Sequence, residues 1–217
     1  MLGMHFQGTD ALYLFGIISA ILSVISFVPY IHDILKGNTH PQRAAWFIWT
    51  VLGFVALSSQ VSEGADASLW FVGIQVAGTA LVFILSIAHG RGAFCSARDA
   101  VVLFIAAIGL LLWMMTGNAA YALAITISIS LLGGAITAIK TYCAPNSETV
   151  SKWAMNCVAS WFAILAVGKL DWILLAYPIY LLALNGAIVL AVITGRAAQQ
   201  KPPMETRKRP AIAREAL

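Results

Sequence analysis

Apolar residues run on along this chain instead of alternating with polar ones. Seven mostly apolar stretches stand out: Ala11–Ile31, Ala44–Val61, Leu69–Ala88, Asp99–Thr116, Asn118–Ile139, Val150–Val167 and Trp172–Thr194. Short polar breaks, rich in Gly, Pro and charge, separate them. A helix needs roughly 20 apolar residues to cross the hydrocarbon of a bilayer, and only helices or closed barrels satisfy their backbone there. The pattern predicts an all-α polytopic membrane protein with seven transmembrane helices. The short connections predict antiparallel neighbours. The first stretch is too long for the apolar core of a signal peptide and follows no basic segment, so it is expected to be a retained span.

Composition sharpens this picture. Of 217 residues, 60% are hydrophobic and 10% charged, against about 25% charged in soluble domains. Mean hydropathy is +0.86. The outer surface must therefore be apolar, and its solvent is the lipid bilayer.

The net charge of +4 does not point to nucleic acid, because its distribution is a topology signal. Of 13 Lys and Arg residues, six follow Thr194 and the others lie at helix ends. One side of the expected bundle holds Lys36, Arg43, Arg91, Arg98, Lys140, Lys152 and the tail; the other holds only Lys169. The positive-inside rule then places the N-terminus outside and the C-terminus in the cytoplasm, in a plasma (inner) membrane. The tail, 196–217, reads as a disordered basic cytoplasmic segment.

The punctuation of the chain repeats. An offset of 104 residues carries Lys36 onto Lys140, Pro41 onto Pro145 and Trp49 onto Trp153; an offset of 105 carries Asp66 onto Asp171 and Gly90-Arg91 onto Gly195-Arg196. The expected organisation is a first three-helix repeat over 1–90, a linker helix over 91–117 and a second three-helix repeat over 118–195. An odd linker gives both repeats the same orientation, with a pseudo-two-fold axis along the membrane normal and a path between halves.

This 3+1+3 layout resembles the PQ-loop superfamily, which includes the SWEET sugar facilitators, cystinosin-type transporters and the KDEL receptor. The resemblance is carried by Phe27-Val28-Pro29-Tyr30 at the end of the first span, then Lys36, Thr39 and the span bearing Trp46 and Trp49. Tyr30 stands where the family has glutamine, and Gly133 stands where the second repeat would have proline. The second half also resembles the PnuC vitamin transporters through Glu148, Trp153, Asn156 and Ala183-Leu184-Asn185-Gly186. The resemblance implies a membrane transporter, with a KDEL-receptor-like binding or sorting protein without transport as the alternative.

No Asp or Glu falls in the middle of a span, although intramembrane acids usually carry protons and ions. Facilitated diffusion of a small neutral polar solute, sugar or nucleoside/vitamin-like, is the expectation. What lies inside the spans is amide and aromatic. Asn185, Asn156 and Gln75 should face the bundle interior, because a bare amide in lipid is costly; each either ties helices together or contacts a solute. In SWEET-like proteins an asparagine on the third helix of a repeat hydrogen-bonds the solute, and Asn185 is the matching position. Trp49, Trp153 and Trp161 lie deep enough to stack on a solute or to pack a core, with Tyr180 and Tyr177 beside Pro178. Trp46, Trp70 and Trp172 are expected as interfacial anchors. Pro29 and Pro178 interrupt spans; the resemblance implies hinges, and simple bending is the other reading. Gly73, Gly78, Gly133 and Gly134 are expected to permit close helix approach.

Three cysteines and four histidines are scattered without ligand spacing, so neither a metal nor a cofactor is expected. Without paired carboxylates or a nucleophile–base pair, enzyme chemistry is not expected either. The partners expected are a small-molecule solute and lipid; homo-oligomer formation stays open.

Overall fold

The computed structural model describes residues 8–39, 41, 43–90, 97–146 and 148–200. The Arg91 end of the first repeat and the tail beyond Gln200 lie outside the described residues. Within them the chain is all-α: α1 Gly8–Leu35, α2 Arg43–Ser62, α3 Leu69–His89, α4 Ala97–Thr116, α5 Ala119–Cys143, α6 Val150–Ala166 and α7 Trp172–Gln200. Helix α7 runs on past Gly195, so the first residues of the tail segment are helical.

Among the described residues, length and composition single out four helices as able to cross a membrane: α1 over Asp10–Leu35, α2, α3 and α7. Helix α6, with 17 residues, falls short of the roughly 20 that a bilayer asks for. The outward faces are apolar, as with Ile17, Ile21, Val24 and Val28 on α1 and Ile84 and Ile87 on α3. The chain is a membrane-associated protein whose helices meet lipid.

The helices pack in a regular pattern. α1 and α2 each lie against α3; α5 and α6 each lie against α7. The two triplets meet through α1 on α6 and α2 on α5, while α4 sits outside, mainly on α5. Exchanging α1, α2 and α3 for α5, α6 and α7 maps each of these triplet pairs onto another. The turn after α2 uses Gly64 with φ of 71°. Its left-handed backbone lets the Ala65 amide donate to the Gln60 carbonyl at 3.0 Å, closing the helix end. Gly168, 104 positions on, adopts φ of 70° after α6.

Close approach is needed at Gly78, where a Cβ would collide with the Phe27 ring, and at Gly134, against Leu184. Gly73 faces open space, so the packing role expected of it is not found. Gly133 lies outside the positions described at side-chain level.

Pro178 sits inside α7 and Pro29 inside α1, with helix continuing on both sides. A proline deprives the carbonyl four residues earlier of its partner. For Pro178 that carbonyl is Leu174, and lipid offers no replacement. The fully buried Gln60 of α2 supplies it: its Nε2 donates to Leu174 O at 3.3 Å and to Ile173 O at 3.2 Å. Sequence reading missed Gln60, because it lies near the end of an apolar stretch.

Two stability outcomes follow from these contacts. Gln60→Leu strands a buried carbonyl and is expected to cost about 1–3 kcal/mol, read as a lower thermal midpoint in detergent; adding Pro178→Ala, which restores the helical N–H, should recover much of it. No loss in the single variant contradicts the account.

Asp171 caps α7: its Oδ1 accepts the Ile173 amide at 3.0 Å and the Leu174 amide at 3.2 Å. These bonds, Leu174 first, with the Lys169 ammonium 3.3 Å from Oδ2, hold its carboxyl below the usual carboxylate range. A lowered folded pKa means the contribution is complete above about pH 4, the unfolded value, and fades as pH falls through the folded one. Asp171→Ala should therefore cost about 1 kcal/mol at pH 7, and Asp171→Asn a smaller amount, because the amide oxygen keeps the cap but loses the charge. The gap between wild type and Asp171→Ala should narrow in acid as the charge is lost; a gap that widens in acid refutes the charged cap.

Candidate functional site

Between the two triplets lies a cavity of about 60 Å³, lined from every helix except α4. Most of its wall is aromatic and aliphatic. Its polar groups are Gln75 and Thr79 from α3, Ser130 from α5, Lys152 and Asn156 from α6, and Asn185 from α7.

The amides form one relay. Gln75 Nε2 donates to Asn156 Oδ1, and also to Ser23 Oγ at 3.3 Å. Asn156 Oδ1 takes a second bond from Ser26 Oγ at 3.4 Å. Asn156 Nδ2 then donates to Asn185 Oδ1 at 3.4 Å, and Asn185 Nδ2 to the Leu181 carbonyl at 2.6 Å. The relay ties α1, α3, α6 and α7 through residues that are all nearly inaccessible. Ser23 and Ser26 were missed from sequence, although Ser19, Ser23 and Ser26 fall at spacings of four and three, one face of a helix.

One turn from Asn156 on the same helix lies Lys152. It reads in the sequence as a loop charge that marks the basic side. In the structure it is 4% exposed. Its Nζ lies 4.0 Å from the centroid of the Trp153 ring, 5.0 Å from Phe27, 5.8 Å from Trp46 and 5.9 Å from Tyr30. Desolvating an ammonium costs several kcal/mol, and each good cation–π contact returns about 0.5–2 kcal/mol. Four rings thus surround the charge, and among the described residues Lys152 makes no ion pair within 4 Å. Glu148 acts on it from farther away, while accepting the Trp153 indole N–H at 3.3 Å.

The reason Lys152 turns inward is legible after the fact. The buried positions Lys152, Asn156, Ala159, Ala163 and Ala166 alternate spacings of four and three, the stripe of one packed helix face. Gly78 lets the Phe27 ring settle beside the ammonium.

Of the residues expected to bind solute, Asn185, Asn156, Gln75, Trp49, Trp153 and Tyr180 line this one cavity. Trp161 does not; it is 54% exposed and faces outward, because α6 turns its Asn156–Ser160–Ala163 face to the core instead. Tyr177 joins the lining, and Pro178 is buried beside it. Trp46 departs from its expected anchor role: it is buried, against Tyr30 at 5.3 Å and edge-on to Trp49 at 5.3 Å. Trp70 and Trp172 are exposed, as anchors would be. No group of three potential metal-binding side chains occurs among the described residues. No protein-family model, curated protein or solved structure matches the chain.

The relay couples its members. Asn156→Ala should strand both Gln75 and Asn185 at about 1–3 kcal/mol, and a double-mutant cycle with Gln75→Ala should show coupling of about 0.5 kcal/mol or more. Strictly additive losses in thermal unfolding contradict a shared relay.

Proposed function

We propose that this protein is a membrane transporter, a uniporter that lets a small polar solute diffuse through the cavity between two three-helix repeats. The observation that carries the reading is the cavity itself: a space with a largely apolar wall, lined by buried amides and an ammonium from both triplets, inside a bundle with an apolar outer surface. A bundle selected only for packing would be expected to fill such a space, since interiors are close-packed.

The repeat reading draws support from several places. The packing of helices is the same in both triplets. The turn glycines Gly64 and Gly168 correspond, and the mates Trp49 and Trp153 face one cavity. The offset that pairs Gly90 with Gly195 also pairs Gln75 with Tyr180, and both line it. On this reading all seven helices span, α4 is the linker, and the layout is that of the SWEET-like transporters the sequence resembles. The N-terminus lies outside and the basic tail inside, at the plasma membrane. Pro29 and Pro178 serve as hinges, and Gln60 holds one hinge carbonyl until the helices move. No catalysis and no cofactor enter this reading.

The solute is small and polar. Its expected neutrality rested on an interior without charges, a premise that the buried Lys152 ammonium removes. The same ammonium favours a second reading, a ligand receptor or sorting protein without transport, since a cation inside the bundle can hold an acidic ligand without passing it on.

Uptake into proteoliposomes separates the two. A panel of labelled sugars, nucleosides, amino acids and small organic acids should yield saturable, gradient-limited uptake of one class. In Asn185→Ala the KM should rise roughly ten-fold, the loss of one hydrogen bond. Saturable binding of one class with no uptake of any would overturn the transporter reading in favour of the receptor.

A further inference from the structure

We propose that the solute carries a carboxylate that pairs with Lys152, so that the cavity is a site for a short hydroxy- or oxo-carboxylate; this rests on the reading of the cavity as a solute site. Three observations carry it.

The first is the state of the ammonium. Lys152 lines the cavity and is buried, yet its contacts are ring faces. An ammonium has three donors and no acceptor, and no described residue accepts from it. Rings attract the charge without satisfying the N–H groups. A carboxylate in the cavity would do both, with a charge-assisted bond that is stronger than a neutral one.

The second is the placement of the other polar groups. The relay spends much of its hydrogen-bonding capacity on itself and lies one turn from Lys152 along α6, roughly 6 Å. A solute that reaches from one to the other needs an anionic end and, a few bonds away, a hydroxyl or carbonyl. Trp49, Leu52 and Leu184 line the same cavity, and apolar wall of that kind suits a short carbon chain.

The third is size. About 60 Å³ holds roughly five waters. A space this small favours a short solute over a nucleoside or a hexose. The asymmetry of the two repeats fits as well: the position matching Lys152 is Ile48, so only the second repeat brings a cation to the cavity wall.

The test uses the full-length protein in lipid nanodiscs and the fluorescence of its cavity tryptophans. The probes are two- to four-carbon hydroxy- and oxo-carboxylates, lactate among them, each paired with its uncharged primary amide. The expected result is saturable quenching by at least one acid, with its amide at least ten-fold weaker. Lys152→Met should weaken the acid at least ten-fold and leave the amide unchanged, and Lys152→Arg should restore most of the acid's affinity. Overturning results are an amide that binds as well as its acid, an acid whose affinity survives Lys152→Met, or no binding of any acid on the panel. If neutral solutes from the uptake panel are carried while no acid binds, the carboxylate inference fails and the transporter reading stands. If nothing binds and nothing is carried, both fail. A folded Lys152→Met protein is expected, because replacing a buried charge by an apolar side chain of similar length is usually tolerated.

Discussion

A bilayer offers no hydrogen-bond partners, so each polar group that helices carry into it must be satisfied by the protein. That constraint organises the interior of this bundle. The Gln60 amide nitrogen answers the carbonyl that Pro178 leaves open, although its own Oε1 finds no partner among the described residues. Asn156 collects bonds from α1 and α3 and passes one to α7. Lys152, which finds no carboxylate at ion-pair distance, is wrapped in aromatic rings. Each solution joins helices that are distant in sequence, and most of them join the two triplets. The polar residues therefore hold the halves in register around the space they enclose.

The same constraint makes the centre asymmetric. Trp49 and Trp153 correspond in sequence and face one cavity, yet Asn185 has Ala80 as its counterpart and Lys152 has Ile48. One half supplies the cation and two of the three amides; the other supplies Gln75 and much of the aromatic wall.

Much of this was legible in the chain. Helix positions follow from the apolar runs. The amides Gln75, Asn156 and Asn185 could be sent inward because lipid would not accept them. The tryptophans were harder: depth along a helix does not tell which face a ring takes, so Trp161 was expected inside and lies outside, while Trp46 did the reverse. Lys152 was hidden by its position, since a basic residue in the first turn of a span normally marks the cytoplasmic edge. Only its place in the stripe with Asn156 and Ala159 distinguished it. Gln60 was hidden because its role depends on a proline 118 residues away, a pairing that helix packing creates and no local pattern announces.

The central claim is that the space between the triplets is a solute site reached by water and not a sealed packing defect. Thr79 lines it from α3. In a chain whose Cys95, Cys143 and Cys157 are replaced by serine, a single Thr79→Cys in proteoliposomes can be exposed to a membrane-impermeant maleimide from each face in turn. The account predicts labelling from at least one face, slowed by the solute that the protein carries. A folded variant that labels from neither face, with or without solute, would contradict it.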